Sequence, residues 1–201
     1  MKAKLHKLKK LLSNLLSKKT IIIFYITSFL FLSCNNSKSK STTVEDVIQK
    51  AKETTAVVAK EGRGNISLQC SGKTYEINGV CGALTSMGSV SIVVKDDSTK
   101  LKVFTIDFST DQLPTSSSSY KIIKNADDKD AHYVSIGYND MRQPQMIWES
   151  DNATGKLDFT VNGDEIKCSF SNLKLQANEF FNKGELNNPA IVSGELTLYK
   201  N

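Results

Sequence analysis

The stretch Leu157-Asp-Phe-Thr-Val161 leads into Asn162-Gly163, and Asp164-Glu-Ile-Lys-Cys-Ser-Phe170 follows. Apolar and polar residues alternate on both sides of the Asn-Gly pair, as they do in two β-strands that bury one face. Asn-Gly is the preferred pair for a two-residue type I′ turn, because both positions of that turn need a positive φ. The sequence therefore predicts a β-hairpin centred on Asn162-Gly163.

The register of this hairpin follows from its turn. If Val161 faces Asp164, the oppositely charged Asp158 and Lys167 become partners on the outer face. A slip of one residue would turn every side chain to the wrong face, so the alternation determines the register strongly. The core face is predicted to carry Leu157, Phe159, Ile166, Cys168 and Phe170.

Period-two alternation recurs along the chain from Asn65 onward. It is present in residues 66–70, 90–94, 104–108, 132–136 and 196–199. Turn-forming clusters separate these runs, and the three prolines lie between runs and not inside them. Residues 63–201 are therefore predicted to form a mainly β domain, an antiparallel sandwich or barrel of about 8–10 strands.

A helical period precedes the β domain. Val44, Val47, Ile48 and Ala51 recur at helical spacing, and Gly62 follows as a stop signal. A short amphipathic helix is predicted over residues 44–62. Three roles are open for it: packing on the domain, pairing with another copy, or lying on a membrane. Its mixed acidic and basic polar face disfavours the membrane. Residues 34–43 are small and polar, which predicts a flexible tether.

The first 33 residues have the pattern of a secretory signal peptide. A lysine-rich segment without acidic residues precedes the uncharged run 21–32. A transmembrane helix needs about 20 apolar residues, so this run is too short to span a bilayer, but it has the length of a signal-peptide core.

The residues Leu32-Ser33-Cys34 resemble the lipobox of bacterial lipoproteins. In that family the cysteine thiol carries diacylglycerol and the preceding peptide is removed, which implies that Cys34 anchors the chain in a membrane. An Asp after the cysteine retains such proteins at the inner membrane. Asn35 stands there instead, which favours the outer membrane, with the domain facing the periplasm or the cell exterior.

Removal of the signal changes the charge of the chain. Seven of the 26 basic residues and none of the 21 acidic residues precede Cys34, so 19 basic and 21 acidic residues remain. The mature chain has no positive excess, which gives no electrostatic case for a nucleic-acid partner. Overall the chain resembles small, Lys/Asn/Ser-rich, uncharacterised lipoproteins of Bacteroidota-type bacteria, a resemblance without any function-specific motif.

Three cysteines remain if Cys34 is lipidated, and an oxidising envelope compartment lets at most one intramolecular disulfide form among them. The nearby glycines favour a disulfide between Cys70 and Cys81. Cys70–Cys168 is the competing pair, since both residues alternate with apolar ones. No Cys/His spacing typical of zinc occurs, so neither a metal nor a cofactor is predicted.

Known catalytic motifs are not found in the sequence. Gly-x-Ser-x-Gly, His-Glu-x-x-His and the phosphate-binding loop Gly-x-x-x-x-Gly-Lys-Ser/Thr do not occur. His132 is the single histidine after Cys34, and its alternation with apolar residues predicts a strand position. The acidic cluster 127–130 lacks the glycine and distal Glu of a calcium loop. We therefore expect a non-enzymatic binding module rather than an enzyme.

Two alternatives to simple binding remain open. One is a carboxylate-based hydrolase of envelope polymers, whose acid pair cannot be chosen from sequence without geometry. The other is an inhibitor of an envelope-degrading enzyme, because lipoproteins of this size include lysozyme inhibitors with a disulfide-bonded β fold.

Two segments are candidate binding surfaces for a protein or glycan partner. The segment 138–148 surrounds a proline-containing loop with side-chain types that are enriched at interfaces, namely Tyr138, Met141, Arg142 and Trp148. The alternative is that Met146 and Trp148 alternate into the core. The second segment, 178–189, contains Phe180 and Phe181, which either close one end of the domain or form a contact patch.

Overall fold

The alternating runs form eleven β-strands in the computed structural model, which describes residues 56–86, 88–122, 132–150 and 155–201. The strands are β1 (Ala56–Val57), β2 (Ala59–Cys70), β3 (Lys73–Ser86), β4 (Ser89–Asp96), β5 (Lys102–Phe108), β6 (Ser118–Ile122), β7 (Tyr133–Asp140), β8 (Met146–Ser150), β9 (Lys156–Asn162), β10 (Glu165–Ala177) and β11 (Ala190–Lys200). A 3-10 turn covers Gly184–Asn187. The predicted signal peptide and tether lie outside the described residues.

The sheet closes on itself into a barrel. Its strands follow the order β3, β2, β11, β10, β9, β6, β7, β5, β4, and β4 pairs with β3 again. Of the two predicted architectures, sandwich and barrel, the structure therefore has the barrel. Closure gives every strand of the ring two neighbours, which removes the exposed edges that an open sheet would present.

An odd number of strands cannot alternate in direction all the way round a ring. At least one neighbouring pair must then be parallel, and in this barrel that pair is β6–β7. The parallel ladder is short, with Lys121 opposite Tyr133 and Ile122 opposite Val134. Four residue pairs hold the other side of β6 to β9 in antiparallel pairing.

The two ends of the barrel differ in strand number. β9 pairs with the first part of β10, and β8 pairs with its last part, so β8 and β9 follow one another along the same neighbour. Where β8 lies, it pairs directly with β7, and β6 is not interposed. The barrel thus has an eight-strand end, where all pairs are antiparallel, and a nine-strand end, where β6 lies between β7 and β9.

The barrel interior is filled by side chains from alternate positions of each strand. Fully buried inward residues include Ile66, Leu68, Ile77, Ile92, Phe104, Ile106, Phe108, Leu157 and Ile166. Phe104 stacks on Phe170 with ring centroids 5.2 Å apart. Phe108, Tyr120 and Phe159 form a further aromatic cluster towards the nine-strand end. Barrels of about eight strands have room for little more than such side chains.

The predicted β9–β10 hairpin is present with the predicted core face. Leu157, Phe159, Ile166, Cys168 and Phe170 are all buried. The predicted register is wrong by two residues, because the loop is Gly163-Asp164 and Asn162 pairs with Glu165. Only Gly163, the first loop residue, has a positive φ, of 61°, as in a type II′ turn.

A shift of two residues preserves the faces and changes the partners. Asp158 lies opposite Ser169 and forms its ion pair with Lys156, while Lys167 pairs with Glu165 of its own strand. The predicted cross-strand pair Asp158–Lys167 is therefore wrong.

The predicted helix is wrong over residues 56–62, and residues 44–55 lie outside the described residues. β1 pairs with the end of β3, and β2 begins at Ala59. Gly62 lies inside β2, opposite Cys81, and does not end a helix. The β-branched residues Val57 and Val58 favour this extended structure.

The predicted Cys70–Cys81 disulfide is wrong. Both residues are free thiols, as is Cys168. In the β2–β3 ladder Cys70 lies opposite Lys73, so Cys81 is eight residues further along, about 26 Å at the usual rise per residue. A disulfide needs Cα atoms within about 7 Å. Burial raises the pKa of Cys81 to about 12, so this thiol is unreactive at neutral pH.

Replacing Gly163 by Val tests the turn. The Cβ would meet no atom within 4 Å, so its cost comes from the positive φ alone. We expect a loss of about 1–3 kcal/mol in the free energy of unfolding, measured by urea denaturation. Gly82→Val is the matched control, because its Cβ also meets no atom and its φ is ordinary. Equal losses in the two variants would contradict the assigned turn.

Candidate functional site

Four loops meet at the eight-strand end of the barrel. They are residues 71–72, 97–101, 141–145 and 178–189, which join β2 to β3, β4 to β5, β7 to β8 and β10 to β11. Both segments predicted as binding surfaces reach this end. We therefore take the eight-strand end, called the mouth of the barrel below, as the candidate functional site.

One side of the mouth is polar, although its residues alternate with core residues. Asp140 is fully buried and lies two positions after the buried Tyr138. Arg142 Nε donates to both carboxylate oxygens of Asp140, at 2.9 and 3.1 Å, and the Arg142 main-chain N–H also donates to Asp140. Bonding to Asp140 raises the pKa of Arg142. The guanidinium predicted as a contact group is therefore held by Asp140 at the end of β7.

Asp96 ends β4 on the same side of the mouth and is nearly fully buried. Its Oδ2 accepts bonds from the Ser98 hydroxyl at 2.6 Å and from the Thr99 main-chain N–H and hydroxyl at 2.9 and 2.8 Å. The Asn78 N–H donates to Oδ1. Burial alone would raise the pKa of Asp96, but these donors outweigh it and hold the pKa well below its usual value. Asp96 thus anchors the β4–β5 loop as a carboxylate.

Tyr138 and Trp148 form an aromatic layer below the mouth. They face each other across β7 and β8 with ring centroids 6.0 Å apart, and Tyr75 lies 5.7 Å from Trp148. Both side chains are fully buried, so neither lies on the surface; a core position was the predicted alternative for Trp148 and not for Tyr138. The Tyr138 hydroxyl has no hydrogen-bond partner among the described residues, and burial raises its pKa.

The long β10–β11 loop covers the opposite side of the mouth. The Trp148 indole N–H donates to the main-chain oxygen of Asn188 at 3.1 Å. Asn182 is 1% exposed, accepts from the Ile147 main-chain N–H at 2.7 Å and donates to the Leu186 oxygen at 2.9 Å. This single buried amide ties the loop to β8.

A tight turn within this loop presents an aromatic pair. The Phe180 main-chain N–H donates to Asn178 Oδ1 at 3.1 Å, and the Asn182 N–H donates to the Asn178 oxygen at 2.8 Å. Phe180 is 79% exposed, while Phe181 is partly buried and meets Phe180 edge to face at 4.9 Å. Of the two alternatives for this pair, the geometry fits a contact patch at Phe180.

The remaining predicted residue, Met141, is partly buried. Its main-chain N–H donates to the Leu101 oxygen, and its sulfur accepts from the Gln145 amide. Both bonds brace the mouth. Sequence reasoning missed Asn178 and Asn182, whose spacing around the Phe pair was the available signal.

A second concavity lies at the nine-strand end. It has a volume of about 320 Å³ and is open to solvent. Val58 and Leu113 line it together with polar side chains that include Asp111 and Lys200. None of its lining residues is fully buried, so no preorganised polar group converges on a ligand there.

Metal and membrane features were sought in the described part of the chain. Within it, no three His, Cys, Asp or Glu side chains are placed to hold a metal ion. Nor do these ranges contain a helix with the length and apolarity needed to cross a membrane. His132 is an exposed turn residue before β7, and not the strand residue predicted. The acidic cluster 127–130 lies outside the described residues.

Comparison with protein-family models, with curated proteins and with solved structures finds no match for this chain. Its function is therefore inferred from its own residues and their geometry.

Asp96→Asn tests the anchored loop. The Asn amide has an N–H₂ group where the carboxylate had an acceptor oxygen, so one of the donors at this site loses its acceptor. We expect the free energy of unfolding to fall by about 2 kcal/mol at pH 7. The pKa of Asp96 is lowered by folding, so its stabilisation is present above about pH 4 and is lost as pH falls. The deficit of the variant should therefore shrink at pH 3, as measured by urea denaturation.

Asp97→Asn is the matched control for this measurement. Asp97 is about half exposed and forms a surface ion pair with Arg63, which is worth about 1 kcal/mol or less. A deficit of Asp96→Asn that stayed constant between pH 7 and pH 3 would contradict the ionised state of Asp96.

Proposed function

We propose that this chain is a lipid-anchored cell-envelope protein that acts as a non-enzymatic binding module. Its partner, a protein or a glycan, binds at the eight-strand end. The observation that carries this proposal is Phe180, a large apolar side chain that is 79% exposed on a hydrogen-bonded turn.

The membrane anchor is supported by the sequence. Cys34 ends an uncharged run preceded by a lysine-rich segment, and the residues before it resemble a lipobox. Asn35 supports sorting to the outer membrane, with the barrel facing the periplasm or the exterior. The lipid on Cys34 is then the contact with the membrane.

The turn that carries Phe180 supports binding because it is already ordered. Asn178 and Asn182 fix its main chain, and Asn182 is itself buried against β8. A preordered contact residue loses little conformational entropy when it binds, which increases affinity. The filled barrel interior points in the same direction, because it favours a partner on the outside.

Buried carboxylates at the mouth favour binding over hydrolysis. A hydrolase of envelope polymers needs one carboxylic acid that donates a proton and a second carboxylate near it. The lowered pKa of Asp96 makes it a poor proton donor, and Asp140 is paired with Arg142. Burial raises the pKa of Asp107, but this residue accepts from Ser91 at 2.6 Å and lies on the outer face of β5.

Inhibition of an envelope-degrading enzyme is a special case of this binding function. Protein inhibitors commonly present a loop whose backbone changes little on binding. The turn around Phe180 is held by hydrogen bonds to Asn178, so it is the segment that would enter an enzyme cleft.

Cys34→Ala tests the anchor. The wild-type chain should be labelled by a metabolic acyl probe and sediment with membranes, because the thiol carries the lipid. The variant should be unlabelled and recovered in the soluble fraction. Labelling of both chains would contradict lipidation at Cys34.

Phe180→Ala tests the binding surface. A tag after Asn201 allows the full chain to be purified from native envelopes, and co-purified components can be quantified by mass spectrometry and sugar analysis. We expect a specific component to fall about tenfold or more in the variant, as for a central contact residue.

Tyr199→Ala is the control for Phe180→Ala, because Tyr199 is an exposed aromatic residue at the nine-strand end of β11. It should leave the co-purified set unchanged. The same set from wild type and both variants would overturn the eight-strand end as the binding surface.

A further inference from the structure

We infer that the partner at Phe180 is a protein with an apolar pocket and a basic rim, and not a glycan. This inference rests on the proposed function, which left both classes open. It follows from the polar groups around Phe180 and from the charges that flank it.

The main-chain N–H donors next to Phe180 are already used within the turn. The main-chain N–H groups of Phe180, Phe181 and Asn182 all donate to Asn178. Both side-chain polar atoms of Asn182 are bonded as well, to Ile147 and Leu186. A sugar site needs free donors as well as acceptors beside its aromatic platform, because each buried sugar hydroxyl both donates and accepts, and the carboxylates of Glu149 and Glu179 can only accept.

Phe180 itself has no polar atom and offers only apolar surface. Its ring meets Phe181 edge to face, so the supporting residue is apolar too. The complementary surface for such a side chain is a pocket lined by apolar groups, as at the centre of protein interfaces.

The flanking charges indicate the rim of that pocket. Glu179 is exposed beside Phe180, and the Glu149 carboxylate accepts from the Asn178 amide at 3.4 Å. Neither forms an ion pair with a described residue, whereas Glu185 nearby pairs with Lys73. Lys183 directs its ammonium to the main-chain oxygen of Glu179. One surplus negative charge remains on Glu149, Glu179 and Lys183, which form no ion pair with a described residue. It complements Lys or Arg side chains on the partner.

Site-specific photo-crosslinking in cells that express the full chain natively tests this inference. p-Benzoylphenylalanine replaces Phe180 and keeps an aromatic group there, and the same residue at Tyr199, at the nine-strand end, is the positional control. We expect one protein adduct from position 180 and none from position 199. Mass spectrometry of the crosslinked peptide then identifies apolar residues with Lys or Arg beside them.

The basic rim of the partner is tested by reversing the charges of Glu149 and Glu179 while p-benzoylphenylalanine stays at position 180. Combining Glu149→Lys with Glu179→Lys should lower the yield about tenfold, while Glu195→Lys, an exposed acid on β11, should not. In isolated envelopes, about 1 M salt should lower the yield as well, because the screening length falls to about 3 Å.

Each other outcome overturns a defined part of the inference. A sugar-containing adduct, or an adduct with a second copy of this chain, would overturn a separate protein as the partner and leave binding at Phe180 intact. A protein adduct insensitive to both charge reversal and salt would overturn the basic rim. No adduct from position 180 would overturn both this inference and the proposed function.

Discussion

Closure of the sheet is the constraint on which the rest of this structure depends. A closed sheet gives each strand two neighbours, so nearly all main-chain polar groups of the ring are bonded within it. Closure with nine strands requires a parallel pair, which is β6–β7. Closure with eight strands does not, and at that end β8 joins β7 to β10 directly. The barrel has eight strands at one end and nine at the other because β8 pairs with the last part of β10 and β9 with its first part.

The candidate site is a consequence of how the eight-strand end is covered. On one side the carboxylates of Asp96 and Asp140 fill inward positions and are satisfied by donors from their own loops. On the other side the β10–β11 loop lies over Trp148 and is held by Asn182. Phe180 can stay exposed to solvent because the loop is ordered by these hydrogen bonds and not by burial of the aromatic ring.

Local alternation predicted which residues face the core. It did not predict the hairpin register, the state of the cysteines or the choice between sandwich and barrel. The faces of the β9–β10 hairpin survived a register error because a shift of two residues keeps parity. The register itself was ambiguous, since both Asn162-Gly163 and Gly163-Asp164 suit a two-residue loop. The disulfide prediction failed because glycines near Cys81 lie within an extended strand instead of bending it. The choice between sandwich and barrel depended on the pairing of β11 with β2, which joins distant parts of the chain such as Ile191 and Gln69 and which no local pattern reveals.

The site was predictable only where its side chains act locally. Phe180 stood out from sequence as part of an aromatic pair in a long loop. Asn182 did not, because its partner, the Ile147 N–H, lies 35 residues earlier in the chain. Asp96 and Asp140 carried a readable signal, since each occupies an inward position after buried residues, where an acid must find donors.

Among the described residues, β6 joins β7 through two residue pairs, and the same five-residue strand makes one end of the barrel nine-stranded. Free energies of local opening scale with how many contacts must be broken together. The β6–β7 seam is therefore where amide hydrogens should exchange with solvent first, while the antiparallel ring at the other end exchanges by global unfolding. We expect opening to begin at the nine-strand end, which leaves the eight-strand end that presents Phe180 closed.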